Sequence, residues 1–254
     1  MPATESFARS ARRRAREEIT QEIVGTARRH LATEGPAALS LRAVARDLGM
    51  VSSAVYRYVA SRDELLTLLI IDGYNALGAA VEQAEAAVPR ADLAGRWLAL
   101  CHAARDWAVA GPHEYALIYG SPVPGYVAPQ DTVQPAVRVT RVMSRVLAEA
   151  AARDPEAFAG MTPAPAEGVR RSMWEVRRDI PESVPDEVVL RGLMAWTHLF
   201  GAISFELFGH REHVIDPDPQ LRRIFFDAEM RRMGALAGLP ISSAGEETIQ
   251  GSTP

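Results

Sequence analysis

The stretch Gly49–Leu66, GMVSSAVYRYVASRDELL, interleaves hydroxyls, phenols and an arginine with small apolar residues. Ser52, Ser53, Tyr56 and Arg57 fall at i, i+1, i+4 and i+5, one side of a helix. Their chemistry suits nucleic-acid recognition. Arginine donates two parallel hydrogen bonds to guanine, and serine bonds several base edges. Ala54, beside them, offers a methyl for contact with thymine. Tyr56 and Tyr58 combine an apolar ring with a hydroxyl, which suits a packed ring and a phosphate contact. Arg62, at the start of the next helix, adds a cation to the same backbone.

These residues need a scaffold, and the spacing around them supplies one. Ile19, Ile23, Ala27 and Leu31 recur every four residues and predict a first amphipathic helix, which Gly35-Pro36 ends. Ser40 can cap a second helix with Leu41, Val44, Ala45 and Leu48 on its apolar face. Gly49 accepts the positive φ of a tight turn. A third short helix runs to about Val59. Ser61 and Glu64 form a capping box for a long apolar fourth helix, ending near Ala87. Residues 41–60 thus fit a helix-turn-helix: Ala45 permits a close crossing, and Val44, Leu48, Met50, Val55 and Tyr58 point inward. An ordinary pair of core helices explains those apolar positions. It leaves the polar ones unexplained.

Charge is distributed to match. All 28 lysine-or-arginine positions are arginine, and the net charge is −4. Residues 1–60 hold ten arginines against six acids, a net +4, so the remainder carries −8. A basic end on an acidic body points to a polyanion-binding segment joined to a part with another task. The run RSARRRAR, Arg9–Arg16, precedes the first helix as a disordered arm over residues 1–17, able to touch phosphates or an adjacent minor groove.

Beyond the fourth helix the pattern stays helical: Asp92–Ala110, Asp131–Arg153, Asp186–His210 and Pro219 to about Gly238, with a loop over Gly120–Gln130 and a linker over Asp154–Glu167. The expected fold class is all-α, with no alternating strand pattern. The 48% hydrophobic content supports a sizeable core. The single cysteine, Cys101, excludes a disulfide framework and a Cys-rich zinc site. No apolar leader region is visible and no apolar run approaches 18 residues, so the expectation is a cytoplasmic protein with no membrane partner. His210 and His213, near Glu212 and Asp216, are spaced loosely like metal ligands, but a cationic helix end explains a histidine there equally well. Neither a metal nor a cofactor is expected. Acidic pairs fall on expected solvent faces, no phosphate-binding glycine pattern or nucleophile elbow occurs, and no enzyme reading has residues to name.

Residues 19–70 resemble the DNA-binding domain of TetR-family transcriptional repressors. The likeness is carried by LRAVARDLGMVSSAVYRYVASRDELL and the preceding ITQEIVGTARRHLATEG. It implies phosphate contacts from Ser40, Tyr56, Tyr58 and Arg62, and base contacts from Arg42, Ser52, Ser53, Ala54 and Arg57. One departure stands out. Val51 occupies a position where the family usually has a capping serine or threonine, which would shift the cap of the recognition helix to Ser52. The implied division is a helix-turn-helix domain at 18–63, a helical effector-binding and dimerisation domain at 64–238, and a disordered tail at 239–254. AWTHLFGAISFELFGH, Ala195–His210, is similar to the C-terminal domain of an actinobacterial subgroup with a Trp-His-Gly pattern. Trp196 and Gly201 match, while Phe200 replaces the histidine and His198 lies two residues earlier.

The last two long helices carry more apolar residues than one bundle face needs, among them Leu193, Trp196, Phe205, Phe208, Leu221, Ile224 and Phe225. They are the expected homodimer interface. Trp97, Cys101, Tyr119, Met143 and Trp174 are the expected wall of a cavity for a small apolar or aromatic effector. The combined expectation is a homodimeric, ligand-responsive repressor, released from a palindromic double-stranded operator by its effector. A constitutive DNA-binding protein with no effector and a transcriptional activator remain as alternatives.

Overall fold

The computed structural model describes residues 3–159, 165–178 and 180–241, all helices, turns and loops with no strand among them. Part of the expected linker (160–164) and nearly all of the expected tail (from 242) lie outside the described residues.

Helix α1 spans Ala3–Glu34, about four turns further upstream than the apolar repeat requires. Residues 3–17, expected as a disordered arm, are therefore helical; the alanine- and arginine-rich composition favours this. A 3₁₀ turn, Pro36–Ala38, follows. Then come α2 (Leu41–Asp47), α3 (Ser52–Val55) and α4 (Arg62–Ala86). Next are α5 (Leu93–Ala110), α6 (Pro112–Tyr119), α7 (Val133–Ala136) and α8 (Arg138–Arg153). Short helices α9 (Pro155–Ala159), α10 (Glu167–Ser172) and α11 (Trp174–Arg177) lead to α12 (Asp186–Leu207) and α13 (Pro219–Leu236).

Local chemistry explains the main boundaries. The Ser61 Oγ accepts from the Glu64 N–H at 3.0 Å, and the Glu64 carboxylate accepts from the Ala60 N–H at 2.6 Å. This is a capping box displaced by one residue on its return bond. Asp218 caps α13 by accepting from the Gln220 and Leu221 N–H groups at 2.8 and 3.0 Å, with Pro219 at the first helical position. The expected continuous helix over 131–153 is interrupted at Val137, so α7 and α8 are separate, with Pro135 lacking the N–H a continuous helix would use. Helix α6 lacks a strong periodic signal in so short a segment.

Two units result, and they differ from the expected division. One runs to Gly78 and takes in Ala108–Arg138; the other holds Ala79–Trp107 and the residues from Val139 onward. The first unit gathers α6 and its following loop because α1 binds them. Arg28 pairs with Asp72 of α4 and, at 2.7 Å, with Glu114 of α6. Leu117, Val123 and Tyr126 pack against the core formed by Ile23, Ala27, Val44, Val55 and Leu65.

The second unit is built on α8, α12 and α13 with the end of α4 and all of α5 up to Trp107. Leu199, Ile203, Phe226 and Met230 are buried there. Helices α4 and α12 are long and apolar enough to cross a bilayer by length and hydropathy. Their apolar residues serve these cores instead, with Leu65, Leu66, Leu77 and Val81 buried on α4 and Val188, Ala195 and Leu199 on α12.

Candidate nucleic-acid interface

The turn between α2 and α3 is set by Gly49 at φ 64°, a conformation that costs a side-chain-bearing residue roughly 1–2 kcal/mol. The Met50 N–H then donates to the Ala45 carbonyl at 2.9 Å and closes the turn. Ala45, Val44, Val55 and Val59 are all buried, so α3 is seated by its apolar residues. Backbone bonds continue the helical path past Val55: Tyr58 N–H donates to Val55 O at 2.9 Å and Val59 N–H to the same oxygen at 3.0 Å. His30 of α1 fastens the other side of α2 by a 2.6 Å contact to Asp47. This hydrogen bond holds the Asp47 carboxyl below its ordinary value.

The seating leaves Ser52, Ser53, Tyr56 and Arg57 exposed together, with Ala54 half-buried beside them. Arg42 is exposed on α2. Val51, 70% exposed, is the N-cap of α3 and has no side-chain cap bond. The cap does not move to Ser52, whose residue begins the helix proper. Ser40 is the N-cap of α2, but through its carbonyl, which accepts from the Val44 N–H at 3.0 Å, and not through its hydroxyl. Tyr58 is half-buried, with the Arg16 guanidinium 5.5 Å above its ring. Arg62 is half-buried and donates to the Pro36 carbonyl at 2.7 Å. Six of the nine expected DNA contacts thus lie along α3 or in the turn that follows it, while Ser40 and Arg42 stand at the start of α2 and Arg62 opens α4. The contact of Arg16 with Tyr58 is one that the sequence, which offered Arg9–Arg16 only as a disordered arm, did not show.

A cavity occupies the second unit. Thr140, Met143, Ser144 and Leu147 line it from α8, and Val188, Val189, Gly192, Leu193 and Trp196 from α12. Val176, Ile180 and Val184 complete the wall. A Cβ at Gly192 would lie 2.9 Å from Leu147 Cδ1, so this glycine permits the close approach of the two helices. The free volume is about 60 Å³, far below the several hundred that a drug-sized ligand fills.

Of the five expected effector contacts, only Met143 belongs to this wall. Trp97 is fully buried and donates its indole N–H to the Met230 carbonyl at 2.8 Å, as core tryptophans do. Cys101 is fully buried, and burial, with the charge of Asp227, pushes its thiol well above its ordinary value, so it is an inert core residue. Tyr119 belongs to the other unit, stacked on Tyr115 at 5.2 Å, and burial raises its hydroxyl. Trp174 is 55% exposed, with the Arg178 guanidinium 5.7 Å from its ring. The signal in the sequence for this cavity is the α8 stripe 140, 143, 144 and 147, one helix face with two hydroxyls among carbon.

Acidic residues do not all fall on solvent faces as expected. Glu85 is buried and accepts from the fully buried Arg96 Nε at 2.7 Å and from Arg90 at 3.0 Å. Arg96 also donates to Glu149 at 2.7 Å, a bond that holds the Glu149 carboxyl low. Arg105 grips Glu206 with two bonds of 2.8 and 2.5 Å. These groups are mutually satisfied, which marks them as structural ion pairs rather than an acid–base site. Among the described residues no group of three or more His, Cys, Asp or Glu could hold a metal ion.

Residues 23–69 match the family model for bacterial regulatory proteins of the tetR family, and residues 97–231 match one described as tetracyclin repressor-like, C-terminal domain. The chain is 41% identical over 227 residues to HTH-type transcriptional regulators of Mycobacterium bovis (Mb1846) and Mycobacterium tuberculosis (Rv1816), covering 89% of this chain and 94% of each relative. Among solved structures, the crystal structure of SCO4313 superposes with TM-score 0.69 at 32% identity, covering 87% of this chain and 97% of that one. A Rhodococcus protein of unknown function shares the fold, with TM-score 0.60 at 22% identity over 84% of this chain and 94% of that one.

Proposed function

Since the chain belongs to the TetR family of bacterial regulatory proteins, a DNA-binding transcriptional regulator and not an enzyme, we propose that it acts as a homodimeric, effector-released repressor in the cytoplasm. Each protomer would lay α3 in a major groove of a palindromic operator, the two half-sites one helical turn apart. Arg57, Ser52, Ser53, Ala54 and Arg42 would meet base edges, and Ser40, Tyr56, Tyr58 and Arg62 the phosphates. The observation that carries this is the split of α3: Val55 and Val59 are fully buried while Ser52, Ser53, Tyr56 and Arg57 face solvent. The test is fluorescence anisotropy on duplexes from the intergenic DNA beside the gene, with Arg57→Ala and Tyr56→Phe. Weaker binding in the arginine variant is expected. Unchanged affinity and selectivity in both would remove the assignment.

A dimer is supported by the outer faces of α12 and α13. Met194, Phe205, Phe208, Leu221, Ile224 and Phe225 are each 40–54% exposed. So many large apolar groups in one unit mark an association surface. Gly201, with no atom within 4 Å of a built Cβ, would let a partner helix approach closely. Sedimentation equilibrium should give twice the 27.7 kDa chain mass at micromolar concentration, and Phe205→Glu should shift the protein toward monomer. A wild-type chain that stays monomeric contradicts this part.

The effector site is proposed at the cavity of Met143, Trp196 and Leu193. Its wall is carbon apart from the hydroxyls of Thr140 and Ser144, which suits a neutral apolar ligand with one or two hydrogen-bonding groups. The limited free volume means that binding must part the walls. A coupling of about 1–3 kcal/mol between that opening and the spacing of the paired α3 helices would suffice for regulation.

A further inference from the structure

Resting on the DNA-binding reading of α3, we infer that the upstream extension of α1 is a second, rigid DNA-contact surface, in which Arg12 and Arg13 but not Arg14 meet the phosphates flanking the α3 site. The extension is helical from Ala3, so its arginines have fixed directions. Arg16 sets the reference: its guanidinium lies over the Tyr58 ring, at the end of the α3 turn that exposes Tyr56 and Arg57. At about 100° per residue, Arg12 and Arg13 lie within roughly 60° of Arg16 around the axis, whereas Arg14 lies about 160° away. The same rise puts Arg12 about 6 Å beyond Arg16, a little under two base-pair steps of a duplex.

Residues 11–18 are all exposed, so this face is open to a polyanion. The acidic partner on it is weakly held. Arg13 Nε lies 3.6 Å from Glu17, with both side chains more than 60% exposed, and exposed pairs of this kind yield readily to a phosphate. The occupant that fits is duplex DNA, whose backbone presents one negative charge per 1.7 Å or so of axis. An acidic protein would need only charge. Arg16, on the same side of α1 as Arg12 and Arg13, also joins this face to the segment that follows α3 through its contact with Tyr58. A helix, unlike a flexible arm, meets its partner in a way that depends on phase.

The phase dependence is the test. Full-length protein is titrated with its intergenic duplex from 50 to 300 mM salt, and with the same duplex trimmed at both ends. Arg12→Ala/Arg13→Ala should lower the slope of log affinity against log salt by about 0.9 for each phosphate no longer neutralised. Trimming the flanks should cost the wild type affinity and the double variant little. Arg14→Ala should match the wild type. Alanine favours helix, so α1 is preserved in all variants. In the Arg14→Ala background, inserting two alanines after position 14 turns Arg12 and Arg13 by about 200° and should reproduce the double variant. If Arg14→Ala weakens binding as much as Arg12→Ala, the extension acts as an unordered cationic tail and the inference is overturned. If none of these variants changes the slope while Arg57→Ala abolishes selectivity, the inference alone fails. If Arg57→Ala is also silent, the α3 reading fails with it.

Discussion

In the unit built on α1 to α3, Arg12, Arg42 and Arg57 stand in solvent with their charge available. In the unit built on α8, α12 and α13, Arg96 and Arg105 are buried and each clamps a glutamate. The chain has no lysine, so residue type cannot separate these roles. Surroundings do. An arginine with its carboxylate already in place stabilises a packed fold, and an exposed one without such a clamp keeps its binding capacity for a partner. The difference suggests where mutation should touch stability and where it should touch recognition.

The largest effect should come from breaking the buried clamp. Arg96→Ala leaves Glu85 buried beside only Arg90 and Arg145, and loss of one partner of a buried pair costs about 3–5 kcal/mol. Denaturant unfolding should show it, and the melting temperature should fall steeply. A loss below about 1 kcal/mol would mean that the two remaining arginines suffice, and would blunt the contrast. Next comes Gly49→Ala in the recognition turn, where positive φ predicts a loss of roughly 1–2 kcal/mol and weaker DNA binding. The mirror case is Arg57→Ala, which should change stability by no more than about 0.5 kcal/mol because the side chain is exposed.

Acid sharpens the comparison at the low end. Arg96 holds Glu149, and His30 holds Asp47, below their ordinary values of 4.5 and 3.8. A carboxyl with a depressed folded value contributes stability that is present above its unfolded value and is lost as pH falls through the folded one. The Glu149 contribution should therefore be constant from pH 7 to pH 5 and decline only below about pH 4.5. Unfolding followed against pH checks this. Glu149→Gln should flatten part of the decline, and an equal decline between pH 7 and 5 would contradict the assignment.

Much of the fold was legible because helices repeat their burial locally. Leu41, Val44, Ala45 and Leu48 point to α2, and Gly49 to its turn, from neighbours a few residues away. The α3 face was legible for the same reason, since a seated helix with polar residues left over has one side to put them on. Val51 shows the limit of cap chemistry: backbone geometry places the N-cap there, without a hydroxyl. The cavity was not legible. Trp97 and Trp196 are alike in sequence, and what separates them is a carbonyl 133 residues from Trp97 that takes its N–H into the core. Glu85 escaped for the same reason, since the network it shares with Arg96 and Glu149 is assembled from distant segments. The helical arm escaped because arginine runs read as charge before they read as helix.

The most direct test of the central claim is the selectivity of Arg57→Ala. Its affinity for the intergenic duplex, divided by that for a random duplex of equal length, is measured at one salt concentration beside the wild type. Removing a bidentate base interaction of about 1–3 kcal/mol predicts a ratio lowered by roughly 5- to 150-fold, with the melting temperature unchanged. An unchanged ratio would contradict the assignment of α3 as the reading surface.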